Sequence, residues 1–140
     1  MKKTLVYSLS EIDKVVSLLK EIVATNNIVA ISGSLGAGKT TLITRLLKSL
    51  GVQGPITSPT FSYVNTYRTE DGKTIHHFDL YRVGSAQEFI DSGFDEYLHE
   101  QDALVLIEWP EVIKPLLPKE TVQIELDYET IGQRKMVLYN

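Results

Sequence analysis

Among its 140 residues the chain has no cysteine, which excludes disulfides, thiolate chemistry and cysteine-bound metals and is compatible with a reducing cytosol. It also lacks any basic excess: 14 Lys and Arg stand against 18 Asp and Glu, for a net charge of −4. No cluster of basic residues stands out, so extended contact with nucleic-acid phosphates is not expected, and any service to RNA would run through a partner. The longest unbroken apolar run, Ala103 to Ile107, is far too short to span a bilayer. Lys2 and Lys3 are followed by Glu11 and Asp13 before an apolar stretch of leader length has formed, so no secretory signal is expected and the reading is of a soluble cytoplasmic protein. Low-complexity tracts, internal repeats and linkers are missing too. What is present, 43% hydrophobic and 23% charged residues, belongs to one globular domain over residues 1–140. The three histidines give little: His76 and His77, adjacent on an expected strand, must point to opposite faces as solvated or half-buried residues, and His99 is remote, so a histidine metal cluster is not expected.

Periodicity orders the rest of the chain. Thr4 to Tyr7 has β character, and Ser8-Leu9-Ser10-Glu11 fits a capping box that opens a helix. Ile12, Val15, Val16, Leu19, Ile22 and Val23 draw its apolar stripe, and Asn26-Asn27 stops it. Ile28 to Ile31 then suits a strand buried on both faces, typically a central parallel one. After a glycine-rich turn, Leu42, Ile43, Leu46, Leu47 and Leu50 mark a second helix, with Gly51 where a C-terminal glycine belongs. Residues 61–67 and 74–80 read as strands joined by a turn with Asp71-Gly72, a strong hairpin signal. Residues 85–91 suggest a short helix, and 103–107 a second buried strand ended by Glu108-Trp109-Pro110. Residues 122–128 and 135–139 suggest a terminal hairpin across Ile131-Gly132.

The turn carries the chemistry. Gly33, Gly38, Lys39 and Thr40 satisfy the phosphate-loop spacing, with the required apolar strand before and amphipathic helix after. Glycines let successive amide hydrogens of Gly33, Ser34, Leu35, Gly36, Ala37 and Gly38 turn toward a phosphate, while the helix start adds positive potential. Lys39 supplies a mobile charge and Thr40 a hydroxyl for Mg²⁺; Thr41 closes the segment chiefly as a helix residue.

Magnesium on a triphosphate calls for a carboxylate at a neighbouring strand end. Glu108, after the apolar strand 103–107, is the favoured metal-side acid, and Asp79 a second carboxylate that orients water or coordinates through it; either could instead only cap its turn. Thr60, in Ser58-Pro59-Thr60-Phe61, lies where nucleotide switches sense a terminal phosphate, although a proline-stiffened lead into a strand reads equally well. Arg82 reads as half of a surface ion pair rather than as an arginine finger, and Trp109 as a core plug rather than a flat surface for a base or partner. Arg134 could contact base or ribose, with ordinary strand-surface charge the simpler account.

Leu35-Gly36-Ala37-Gly38-Lys39-Thr40-Thr41, Ser58-Pro59-Thr60-Phe61, His77-Phe78-Asp79-Leu80-Tyr81-Arg82 and Ile107-Glu108-Trp109-Pro110, in that order, resemble the bacterial TsaE family. The resemblance runs from the helix start at Ser10-Glu11 to Arg134. It implies a small ATPase, acting with TsaB and TsaD, that supports threonylcarbamoyl modification of the adenosine beside the tRNA anticodon. TsaD would carry out the transfer, TsaC or a relative would make the activated donor, and tRNA would be reached only through the complex. It also implies ATP on the loop from Gly33 to Thr40, Mg²⁺ on Thr40 with Glu108, an essential acid at Asp79 and a switch residue at Thr60, and it draws Trp109 toward nucleotide or partner. The family commonly has Asp where this chain has Ser34, which puts in question any role that needs a negative charge there.

Other functions fit less well. A small-molecule kinase needs an acceptor site and an arginine-rich lid, for which 140 residues leave little room. The guanine-reading Asn-Lys-x-Asp of GTPases is absent. A non-hydrolysing assembly factor, docking according to its ATP state, differs from the ATPase only in turnover. The expected architecture is an α/β, P-loop NTPase-like three-layer fold with a mixed sheet, parallel around 28–32 and 103–107 and antiparallel at the hairpins.

Overall fold

A computed structural model describes residues 2–140. Seven strands form one sheet: β1 (Lys2–Ser8), β2 (Ile28–Ser32), β3 (Val64–Arg68), β4 (Thr74–Asp79), β5 (Ala103–Glu108), β6 (Val122–Thr130) and β7 (Gln133–Tyr139). Their order across the sheet is β1-β7-β6-β2-β5-β4-β3. β2 runs parallel to both β5 and β6, and β4 parallel to β5, while β1/β7, β6/β7 and β3/β4 are antiparallel. This is the mixed α/β sheet the sequence leads one to expect.

The apolar runs 28–31 and 103–107 became central strands because both faces of the sheet are covered. One face, with Val29, Ile31, Leu104 and Leu106, packs under α1 (Ile12–Val23) and α2 (Lys39–Ser49). The other, with Ile28, Phe78, Val105 and Ile107, packs against α3 (Ala86–Asp91) and two 3₁₀ turns, Phe94–His99 and Pro110–Leu116. Alternation along β4 therefore sends His77 and Asp79 to the α2 side and His76 and Phe78 to the other.

Local signals explain most boundaries. Glu11 Oε1 accepts hydrogen bonds from Ser8 N at 3.1 Å and Ser8 Oγ at 3.0 Å, and this pair opens a 3₁₀ turn, Leu9–Glu11, that feeds α1. Of the boundaries that differ from expectation, two bear on the site. The strand expected from residue 61 begins at Val64, because Tyr63 N donates to Pro59 O at 2.8 Å and Tyr63 sits at φ 69°, closing a turn through Ser58–Ser62. β7 begins at Gln133, two residues early, which puts Arg134 in register with Tyr128 on β6.

Candidate functional site

β2 enters the sheet between β5 and β6, and its carboxyl end releases the chain into the glycine-rich loop, residues 33–38, which leads straight into α2. Gly33 (φ 147°) passes so close to β6 that a Cβ there would lie 1.9 Å from Leu126 O, and Gly38 (φ 98°) caps the helix in the left-handed region. Lys39, only 4% exposed, turns back: its Nζ donates to Gly33 O at 2.6 Å and Ser34 O at 3.0 Å and lies 4.0 Å from the centroid of the Trp109 ring. Burial pulls its ammonium below the usual lysine range, against the opposing pull of Glu108, Glu111, Asp79 and Asp127.

Across the parallel β4/β5 pair, Asp79 and Glu108 are register partners at the two strand ends. Glu108, 2% exposed, accepts a hydrogen bond from Thr40 Oγ1 at Oε1 (2.9 Å), and its Oε2 lies 2.6 Å from His77 Nε2. Asp79 Oδ1 accepts from Tyr81 N at 3.0 Å and Oδ2 from Thr60 Oγ1 at 3.3 Å; Thr60 Oγ1 in turn lies 2.8 Å from Ser58 Oγ. Lys39, Thr40, Ser58, Thr60, Asp79 and Glu108, with Gly36, Gly38 and Trp109, line a cleft of about 290 Å³. Leu35 projects into solvent at the cleft and Ala37 is fully buried, so Ala37 could serve a ligand only through its backbone; Thr41 stands exposed on the cleft wall.

Arg134 lies on the other side of the loop. A second cleft of about 400 Å³, with a more apolar wall from Tyr7, Leu9 and Ile12, shares Gly36, Gly38 and Thr41 with the first and includes Arg134. Ser34 faces β6, its Oγ donating to Asp127 Oδ1 at 2.9 Å. That bond and one from Tyr128 N at 2.8 Å hold the Asp127 carboxyl below the usual range.

Three expectations need correction. His76 and His77 are both buried, not solvated or half-buried. His76 is held by Thr66 Oγ1 (2.8 Å to Nδ1), Glu100 Oε2 (2.9 Å to Nε2) and the edge-on Tyr97 ring, and His77 by Glu108. Arg82 forms no ion pair among the described residues; its guanidinium lies 4.8 Å from the centroid of the exposed Phe61 ring. Trp109 is half-buried at φ 57°, packed against the edge of the core cluster rather than inside it, with its ring against Lys39 on one hand and Tyr81, at 4.9 Å, on the other. His77 escaped sequence reasoning, yet a signal existed: it stands two residues before Asp79 on one strand and so shares its face.

The donor set is one of hard oxygens, a hydroxyl and two carboxylates, suited to Mg²⁺. No group of three or more His, Cys, Asp or Glu that could hold a metal ion occurs among the described residues. No helix of the described residues is long and apolar enough to cross a membrane.

A sheet of this order, with a glycine-rich strand-to-helix turn beside two strand-end acids, defines an α/β protein of P-loop-like fold. Among solved structures it resembles Bacillus subtilis YdiB, with a TM-score of 0.69 and 29% identity over 99% of this chain and 86% of that one. Residues 6–136 match the family model described as threonylcarbamoyl adenosine biosynthesis protein TsaE. Relatives named tRNA threonylcarbamoyladenosine biosynthesis protein TsaE include one from Rickettsia felis, 41% identical over 84% of this chain and 67% of its own length. One from Treponema pallidum is 34% identical over 87% and 88%, and one from Haemophilus influenzae 41% over 71% and 62%. The chain belongs to the TsaE family. It spans about two thirds of the length of the Rickettsia and Haemophilus relatives it matches.

Proposed function

We propose that this protein binds Mg-ATP and hydrolyses it slowly, in support of threonylcarbamoyl modification of the adenosine beside the tRNA anticodon, acting in the cytoplasm with TsaB and TsaD. The observation that carries the ATPase reading is the convergence, beside one glycine-rich loop, of Lys39, the Thr40–Glu108 hydrogen bond at 2.9 Å and the Asp79–Thr60 contact at 3.3 Å. Membership of the TsaE family supports the pathway, and the net charge of −4 supports a division of labour in which the partners hold the tRNA.

Each residue then has a task. The amides of the first turn of α2, unpaired within a helix by construction, and those of the loop other than Ala37 N, which donates to Ser34 O at 3.1 Å, receive phosphate oxygens, and Lys39 exchanges its two carbonyl partners for the outer phosphates. Thr40 and Glu108 are the protein's oxygen ligands for Mg²⁺, with His77 holding the far oxygen of Glu108 in place. Asp79, fixed by Tyr81 N and reached by Thr60, orients the attacking water, so that Thr60 reports the terminal phosphate to the 58–62 turn. The apolar cleft beside Arg134 takes base and ribose. When bound, Mg-ATP supplies the anhydride bond and the cation that neutralises its phosphates.

Phosphate release by the purified chain, alone and with TsaB and TsaD from the same source, tests the reading. The expected result is slow release alone and stimulation by the partners, both lost in Lys39→Ala and Glu108→Ala. Tight ATP binding without release under any condition would overturn hydrolysis in favour of an assembly factor, and ATP binding undiminished in Lys39→Ala would overturn the loop assignment itself.

A further inference from the structure

We infer that the tip of the β6–β7 hairpin moulds the glycine-rich loop before any ligand arrives, with Asp127, Tyr128 and Arg134 as its positioning residues. The proposal deepens the nucleotide-binding reading above, on which the loop's purpose rests.

Contacts between hairpin and loop run in sequence order along both. Leu126 O abuts Gly33 so closely that no side chain fits between them. Asp127 Oδ1 accepts from Ser34 Oγ at 2.9 Å, and Tyr128 Oη donates to Gly36 O at 2.7 Å. Arg134 Nε donates to Ala37 O at 3.1 Å, its guanidinium 4.4 Å from the centroid of the Tyr128 ring. Gly36 sits at φ 80°, and a Cβ there would lie 2.9 Å from the Tyr128 hydroxyl, so it is the backbone conformation that favours glycine here.

The direction of these bonds matters. A backbone segment can offer its amide hydrogens to an anion on one side only if its carbonyls are satisfied elsewhere. Tyr128 and Arg134 take the successive carbonyls of Gly36 and Ala37 from the hairpin side, and before a ligand arrives Lys39 takes those of Gly33 and Ser34. The hairpin is itself fixed, because β7 pairs with β1 over residues 133–139 and β6 with β2, the strand that feeds the loop. Loop and mould thus hang from adjacent strands. Shaping the loop in advance lowers the entropy cost of ordering it on a ligand.

Backbone order parameters of residues 34–37, measured by NMR on the ligand-free chain, test this without nucleotide; phosphate release remains the separate test of the ATPase reading. Tyr128→Phe removes one hydroxyl and keeps the ring under Arg134, and Asp127→Ala removes the Ser34 acceptor. Asp127→Asn keeps an acceptor oxygen while losing the same charge as Asp127→Ala. Tyr128→Phe and Asp127→Ala are expected to move the loop from the rigid range near 0.85 toward the flexible range below about 0.6. Residues 122–126 and α2 should stay rigid, and Asp127→Asn should stay near the parent. Affinity for a non-hydrolysable ATP analogue should fall about three- to tenfold in the two loosened variants, the worth of one hydrogen bond. Unchanged loop order in both would overturn the proposal, as would loosening of β6 and loop together, which would mark a general structural role.

Discussion

On its β4–β5 side the glycine-rich loop meets buried charge, and on its β6–β7 side it meets exposed hydrogen-bonding groups. Glu108, His77 and Asp79 are all buried and address the loop through side chains, Thr40 and Lys39. Asp127 and Tyr128 are exposed and address its backbone or the neighbouring Ser34. Burial strengthens electrostatics and penalises a missing partner, so the first side suits transition-state charge but couples chemistry to stability. Exposure keeps each contact weak and separable, so the second side suits shaping a binding surface at little cost to the fold.

Gly33 belongs to both sides, and its replacement should have the largest effect. A Cβ at 1.9 Å from Leu126 O cannot be absorbed by a rotamer change, because the obstacle is backbone, and the residue also sits at φ 147°. Gly33→Ala should therefore cost about 3 kcal/mol or more in denaturant unfolding, with nucleotide affinity lost as the loop is pushed off β6. A loss below 1 kcal/mol would mean that β6 and loop separate freely, against the contrast drawn above.

Next comes the buried side. Glu108→Ala strips His77 Nε2 and Thr40 Oγ1 of their partner, and His77 Nδ1 already has none. Leaving a buried polar group unpaired costs about 1–3 kcal/mol, or roughly 4–12 °C in Tm for a chain of this size. Phosphate release should vanish with it. Tyr128→Phe, by contrast, should leave Tm within about 2 °C of the parent.

Lys39 allows a smaller test through pH. Its native pKa lies below the 10.5 of an unfolded lysine because burial outweighs the neighbouring carboxylates. As pH rises toward 10.5 the unfolded chain keeps a proton that the native protein has released, so Lys39 contributes a rise of stability with pH in that window. The Tm of the parent relative to Lys39→Met should grow from neutrality toward pH 10, by differential scanning calorimetry. A shrinking difference would show that the carboxylates, not burial, dominate at the amine.

Sequence alone reached the two sides unequally. Glu108 was legible because it closes an apolar run at a strand end and Asp79 because it closes a more polar one, and the sheet brings them together as register partners. The loop was legible because glycine, lysine and threonine spacing reflects local backbone demands. Strand order, which sets β6 beside β2, depends on pairings 92 or more residues apart in sequence, and no periodicity encodes them. Asp127 and Tyr128 therefore fell within a terminal hairpin with no role assigned, and Arg134 read as strand-surface charge. The His77 burial was missed for a related reason: its shared face with Asp79 was readable along β4, but the carboxylate it meets lies 31 residues away on the neighbouring strand.

Ser34 gives the smallest expected effect and bears most directly on the exposed side. Resemblance to the family suggests that Asp is the ordinary occupant, so Ser34→Asp would seem a harmless restoration. In this chain it would set a second carboxylate within hydrogen-bonding distance of Asp127, whose Oδ1 now accepts from the serine hydroxyl at 2.9 Å. Two carboxylates cannot both accept, and repulsion would push the loop from β6. Affinity for the ATP analogue should fall severalfold in Ser34→Asp and recover in Ser34→Asp combined with Asp127→Asn, whose amide can donate to the new carboxylate. Salt should narrow the difference between the two variants, because both groups are exposed. If Ser34→Asp bound the analogue more tightly than the parent without the second change, a negative charge at position 34 would be the loop's own requirement, and Asp127 would be a bystander.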